Sequence, residues 1–455
     1  MRRGSFYLQL ASRGISIPGS QDQQMFSREL QKKLAPQTGT LRLIVIATGF
    51  ITVLVQWVST MLKPRGDFLL HWEFGHRLTH GIFLYTNGMH LPYPPSWAML
   101  FAPFSMFPQR VAMPLFFVLG FFSLVALLKI LIDLTKEHFP LKNDYAFWLT
   151  AATLLITSRF VMRDLADGGE NLLINALTWG GLFFFIHRKP VIGGALLGVA
   201  IALKCTPLLF TGYFVLKRQW TAAISTLAFA ILFFLSPVMI QGPQSYIAHI
   251  TFWKNNVLAG ISQKDPSVGI LGPEQLHNKA LKPMLARFLM RLPDGHPGRF
   301  PGAAHIDFLR LTPSVANLVI KFVTLLSGLA VIWCFSRSPR EFESVTFLWE
   351  CAIISLLMLL FSPITWGEHC VGTIPAVYLI LMRMNSREPV APWIRRSFIF
   401  VVAIFIALNR SFIGFTLSEL MESYHAITFC LIALAAIAFA FWHEAKNSVP
   451  PSPAT

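Results

Sequence analysis

Long apolar runs alternate with short polar connections along most of the chain. The runs fall at 43–62, 111–134, 145–162, 170–187, 191–203, 206–216, 220–240, 313–335, 343–361, 369–384, 397–412 and 424–442. Most match the roughly 17–25 residues that cross about 30 Å of hydrocarbon at 1.5 Å per residue. The pattern predicts an all-α fold, a polytopic transmembrane bundle of about 12 spans. Two runs, 191–203 and 206–216, are short and broken at Lys204 and Pro207. They read as half-depth helices whose break is shielded from lipid. The apolar stretch from Pro94 to Phe107 is too short to span comfortably and suits a helix lying at the interface.

Polar ends frame this body: a basic tail at 1–40, a membrane domain at 41–445 and a short tail at 446–455. Within the domain, 63–110 reads as a first outer loop holding the interfacial helix, and 241–312 as a long outer loop. Composition agrees, with 54% hydrophobic and 13% charged residues, where a soluble domain carries about a quarter charged. The net charge of +16 does not point to nucleic acid, because the basic residues cluster in short connections. With the N-terminal tail inside, the inner connections hold Lys136, Lys142, Arg188, Lys189, Lys217, Arg218, Arg337, Arg340, Arg383, Arg387, Arg395 and Arg396. The outer connections 363–368 and 413–423 hold no Lys or Arg, so only the one starting at Arg163 departs from the positive-inside rule. Both termini are therefore expected in the cytoplasm of a plasma or inner membrane. The five cysteines form no CxxC pair, so neither a disulfide framework nor a zinc site is expected.

Residues able to do chemistry gather on the outer side. The first loop carries Gly66-Asp67-Phe68, His71-Trp72-Glu73, Leu84-Tyr85 and Tyr93-Pro94-Pro95. The second runs from Arg163 through Asp164 and Asp167 to Glu170-Asn171. The third contains Trp253, Asn278, Lys279 and Arg287, and Trp366-Gly367-Glu368-His369 faces the same side. Each has a bland alternative. Asp67 alone reads as a solvated interface residue, and His369 beside Trp366 as an interfacial anchor. Lys204 in an apolar run either lines a polar cavity or snorkels to the surface.

The order and spacing of these residues resemble the GT-C class of membrane glycosyltransferases, most closely glycosyltransferase family 87, the polyprenol-phosphate-mannose-dependent mannosyltransferase-like proteins. The carriers are Asp67-Phe68 after the first span, Leu84-Tyr85, Tyr93-Pro94-Pro95, Gly168 to Asn171, and Gly193 to Gly198 leading into Lys204 and Pro207. Asn278 to Leu281 with Arg287, then Ser362-Pro363 with Trp366, complete the set. The family usually has Gly-Gln-x-Asn where this chain has Gly168-Gly169-Glu170-Asn171, and Asn-Gln-Ser-Leu where it has Asn278-Lys279-Ala280-Leu281.

The resemblance implies inverting transfer of a hexose, typically mannose, from a polyprenyl-phosphate donor to a hydroxyl of a glycan or glycolipid, on the outer face. Asp67 is then the candidate general base. Lys204, Arg287 and His369 are candidates for the donor phosphate. Asn171, Asn278, Tyr93 and Trp366 are candidates for substrate contact, and Trp72, Tyr85 and Trp253 for packing against sugar or prenyl chain. No cofactor and no metal ligand set is expected, although Asp164, Asp167 and Glu170 leave a metal open. The alternative is a transporter or lipid-linked sugar flippase, which would show an internal repeat; none is visible.

Overall fold

The computed structural model describes residues 20–63, 66–85, 91–136, 138, 143–261, 263–301, 308–386 and 388–448. Residues 1–19 of the expected basic tail, 449–455 of the C-terminal one, Lys142 and Arg387 lie outside the described residues. The chain divides into two units, residues 1–56 and 57–455. In the first, the described residues belong to a helix that begins at Ser20, well before the apolar run at 43–62.

The fold is all-α apart from one small hairpin, Val268–Gly269 paired with Gly272–Pro273. Among the described residues, five helices are long and apolar enough to cross a membrane: Gly39–Leu62, Gln109–Lys136, Asp144–Asp167, Pro313–Ser336 and Ala426–Asn447. Two bent pairs, Trp220–Phe234 with Val238–Ile261 and Pro392–Ala407 with Phe412–Ser423, raise the number to as many as seven. Asn171–Ile186, Pro190–Leu203 and Val345–Leu360 are apolar but shorter. The protein is a polytopic helical membrane protein.

The break expected at Lys204 and Pro207 is present. Helix Pro190–Leu203 ends on Lys204 in an extended conformation, and Pro207 precedes helix Leu208–Leu216. A proline lacks the N–H a continuing helix needs and disfavours helical geometry in the residue before it. Glycines 193, 194 and 198 let the first of these helices pack backbone-close to Asn171–Ile186 and Trp220–Phe234.

The first loop is more ordered than its polar composition predicts. It folds into helix Phe68–Thr79, whose Phe68, His71, Phe74, Gly75 and Leu78 form one buried face at helical spacing. The expected interfacial helix is reduced to Trp97–Phe101 and a 3₁₀ turn at Phe104–Met106. These pieces share a core with Met113, Phe116, Ile174, Leu203 and Trp253. The segment 241–312 begins as helix, which continues to Ile261 with a kink at Gly242 and Pro243. Gln241 Nε2 donates to the carbonyls of Arg77, Leu78 and Ile82 at 3.1, 3.0 and 3.2 Å. The end of helix Phe68–Thr79 is thereby capped from the bent helix.

Candidate functional site

Asp67 sits at the N-terminus of helix Phe68–Thr79, where the helix dipole favours a carboxylate. Its turn is pressed onto the end of Asp144–Asp167. Gly168 has φ +69°, and a Cβ there would stand 2.4 Å from Cβ of Phe68. Gly66 has φ +71°, and a Cβ there would stand 2.8 Å from Asp167 Cα. Phe68 is fully buried against Phe116 and Phe101, with ring centroids 5.7 and 6.3 Å away. The two motifs that carry the resemblance on either side of the second and third runs therefore meet in space.

The carboxyl of Asp67 is open to solvent at its edge, yet burial by surrounding protein holds its pKa above the usual range, and the charge of Asp167 adds to this. Arg163 and Lys204 pull in the opposite direction. Arg163 Nε reaches Glu368 Oε2 at 2.9 Å and Asp167 Oδ2 at 3.5 Å. The single exception to the charge rule is thus a residue tying the end of its own helix to the 363–368 connection beside the candidate base.

Asp164, adjacent in sequence, has a structural part. Its side chain accepts from Asn171 Nδ2 at 2.8 Å and from the N–H groups of Leu172 and Asn171 at 3.0 and 3.3 Å. It satisfies the first donors of helix Asn171–Ile186 as a cap would. Asn171 is thereby oriented, and its Oδ1 accepts from Lys204 Nζ at 2.7 Å. Lys204 also pairs with Glu170 Oε1 at 3.3 Å and lies 5.8 Å from the Tyr93 ring centroid. Lys204 is largely buried, so it is held inside the protein rather than snorkelling to a surface.

Tyr93 stacks on Trp97 at 3.8 Å between ring centroids. Tyr85 donates to the Tyr93 carbonyl at 2.8 Å, and Trp253 Nε1 to the Pro92 carbonyl at 3.2 Å. These two fix the turn that presents Tyr93. Trp72 points its Nε1 at the Phe107 carbonyl, 3.0 Å away. His71 accepts from Trp97 Nε1 at 3.2 Å on Nδ1, which leaves Nε2 with the hydrogen, 3.8 Å from Glu170 Oε2. Burial and Lys204 push the His71 pKa down to about 3, so the imidazole is neutral.

Next to Lys204 opens a cavity of about 440 Å³. Its polar end is formed by Tyr93, Lys204, Ser362, Trp366 and His369, and its remainder is mostly apolar, with Leu208, Val257, Leu258, Ile270, Met358 and Phe361. Leu208, Leu209 and Ile261 along its wall are also about half exposed, at 46%, 45% and 50%. A second space of about 30 Å³, enough for a water molecule, lies behind it, lined by Asn171, Asn175, Lys204, Ser362, Thr365 and His369 among others. His369 Nδ1 is 3.2 Å from both the Trp366 N–H and the Ile364 carbonyl, leaving Nε2 as its remaining polar atom.

Asn278 and Arg287 do not line this cavity. Asn278 is fully buried; it accepts from the N–H of Thr365 and of Ala280 and donates to Glu274 and to the Pro363 carbonyl. It pins the loop that carries Trp366 and His369. Arg287, 1% exposed, donates to the Ser423 carbonyl at 3.2 Å and stacks on Tyr424. Lys279 meets Glu422, and His277 lies 3.4 Å from Glu419. Lys279, His277 and Arg287 thus grip helix Arg410–Ser423 and its end. Among the described residues, no group of three or more His, Cys, Asp or Glu is placed to hold a metal ion. Sequence reasoning missed Glu170 as the partner of Lys204; the signal was its standing as a carboxylate one residue before Asn171.

The model of Glycosyltransferase family 87 matches residues 91–363. That stretch includes Tyr93, Asn171, Lys204, Asn278 and Arg287, with Asp67 before it and Trp366 and His369 after it. Over 325 residues the chain is 27% identical to a polyprenol-phosphate-mannose-dependent alpha-(1-2)-phosphatidylinositol mannoside mannosyltransferase of Mycobacterium tuberculosis, covering 68% of this chain and 67% of that protein. A protein of the same name from Mycolicibacterium smegmatis is 24% identical over 325 residues, covering 68% and 66%. The chain thus spans about two thirds of the length of the curated relatives it matches. No solved structure matches it significantly.

Proposed function

The chain belongs to glycosyltransferase family 87, and on that premise we propose that it moves a hexose, mannose above all, from a polyprenyl-phosphate donor to a hydroxyl of a glycan or glycolipid, with inversion. The observation that carries this reading is the apolar cavity ending at Lys204 and His369. Its apolar length suits a prenyl chain, its exposed Leu208, Leu209 and Ile261 offer a way in from the bilayer, and its polar end suits a phosphate. Mannose is favoured because both relatives are named for a mannose donor.

In the proposed step, the acceptor oxygen bonds to the anomeric carbon while the bond from that carbon to the phosphate oxygen breaks. The acceptor proton passes to Asp67, and the electron pair of the broken bond leaves with the lipid phosphate. Asp67 suits this because its turn is rigidly packed and its raised pKa makes it a stronger base than a free carboxylate. Lys204 and the His369 Nε2 would meet the charge that develops on the leaving phosphate. Asn171 holds Lys204, and Asn278 holds the loop of Trp366 and His369. The charge pattern supports about 12 passes, the short and bent helices included, with this site on the outer face.

The test is to incubate membranes containing the protein with radiolabelled polyprenyl-phosphate mannose and, separately, glucose, and to analyse the products. Label transferred to a glycan or glycolipid with release of polyprenyl phosphate, lost in Asp67→Asn, is the expected result. Absence of transfer from both donors, or transfer undiminished in Asp67→Asn, overturns the reading.

A further inference from the structure

Resting on the reading that Lys204 meets the donor phosphate, we propose that Glu170 is a positioning residue that loosens the hold of Lys204 on the spent lipid phosphate and so governs product release. Glu170 is 2% exposed, with Oε1 3.3 Å from Lys204 Nζ and Oε2 3.8 Å from Nε2 of the neutral His71. Asn171 takes a second Lys204 hydrogen, and the Tyr93 ring centroid lies 5.8 Å from the ammonium. The other groups whose charge or polarity reaches Glu170 are Asp67, Asp164 and the Tyr93 hydroxyl. The cation therefore enters the cavity wall already opposed by a carboxylate that water does not screen.

The chemistry of the two lipids makes that opposition selective. The donor is a phosphodiester with one negative charge. The product is a phosphomonoester whose second proton leaves near pH 6, so above that pH it carries close to two charges. An unopposed ammonium holds the dianion more tightly than the monoanion and retains the product. A carboxylate fixed beside the ammonium repels in proportion to charge, so it weakens the product about twice as much as the donor. His71, neutral and accepting the Trp97 indole N–H on Nδ1, adds no positive charge that cancels the effect. Glu170 also keeps the ammonium in place, since it stands with Asn171 at the start of one helix.

The experiment uses the full chain in detergent-solubilised membranes, measuring the donor KM and the inhibition constant of polyprenyl phosphate in wild type, Glu170→Gln, Glu170→Asp and Lys204→Met. In Glu170→Gln the inhibition constant should fall on the order of tenfold, with donor KM falling less. The ratio of the two should widen from about pH 5 to about pH 8 as the product gains its second charge. Glu170→Asp, with its carboxylate drawn back, should lie between; if Glu170→Gln does not fold, Glu170→Asp shows the same sign at smaller size. An unchanged ratio of product inhibition to donor KM in folded Glu170 variants overturns the proposal while leaving Lys204 at the phosphate. Lys204→Met with neither constant changed overturns the phosphate site itself, and this inference with it.

Discussion

Lys204 donates to Asn171 Oδ1 at 2.7 Å, which ties the break after helix Pro190–Leu203 to the first residue of helix Asn171–Ile186. An ammonium at a helix N-terminus is unfavourable by itself, and Glu170, one residue earlier, compensates. The pair is therefore a structural unit as well as a candidate phosphate contact, and the two roles separate by mutation.

Lys204→Met leaves Glu170 buried without its cation. Breaking one side of such a pair costs about 3–5 kcal/mol, so thermal unfolding in detergent should shift markedly downward. The double variant Lys204→Met/Glu170→Gln removes both charges and should regain most of that stability. Donor KM should stay raised in both. A double variant that recovers stability and also binds donor normally would remove Lys204 from the phosphate.

Gly168→Ala tests the contact that places Asp67. The added methyl meets Phe68 Cβ at 2.4 Å from a backbone at φ +69°, so strain and collision together should cost about 2–4 kcal/mol. The Asp67 turn has to move away, and turnover should drop more than donor binding does. Stability and turnover both equal to wild type would mean that this contact is dispensable.

Much of this was legible in the chain and some was not, for physical reasons. A lysine and a proline inside an apolar run announce a break, and the structure has one at Lys204 and Pro207. The helix Phe68–Thr79 was hidden because its stripe of Phe68, His71, Phe74, Gly75 and Leu78 holds a histidine and a glycine, and Glu73, His76 and Arg77 on its other faces make the stretch read as polar. The resemblance offers Arg287 as a candidate phosphate cation. Its partner, the Ser423 carbonyl, is 136 residues away, a distance no local pattern encodes. Arg163 stood out only as an exception to the charge rule, and its pairing with Glu368 and Asp167 accounts for it.

Orientation has its own test. Single cysteines at exposed Lys264 and at Ser386, in a chain with its native cysteines replaced, should react differently with a membrane-impermeant thiol reagent. Lys264→Cys should label in intact cells, and Ser386→Cys only after permeabilisation. The reverse result would put the cavity on the inner face.

The pH profile probes the surroundings of Asp67. A general base works deprotonated, so kcat/KM should rise with pH through the Asp67 pKa, and burial with Asp167 places that limb above the ordinary aspartate range. Asp167→Asn removes a repelling charge and releases Arg163 from one of its two partners. Both changes favour ionised Asp67, so the acid limb should move to lower pH. A limb that stays in place in this variant would show that another group controls it.

Asp67→Asn is the decisive variant. Asparagine keeps the size and polarity of the side chain and its position at the helix start, but it has no basic lone pair to receive the acceptor proton. Removal of a general base typically costs 10²–10⁴-fold in rate, about 3–5 kcal/mol of barrier. Donor binding should change little, because the phosphate end of the cavity is formed by Lys204, Trp366 and His369 and Asp67 is not part of its wall. The loss should therefore appear in kcat with donor KM within a few-fold of wild type. Glu73 is the nearest competing carboxylate in sequence, but it is bonded to Arg77 at 2.8 Å, so Glu73→Gln should leave the rate largely intact. Near-normal turnover in Asp67→Asn at equal protein level, or a larger loss in Glu73→Gln than in Asp67→Asn, would move the base away from Asp67.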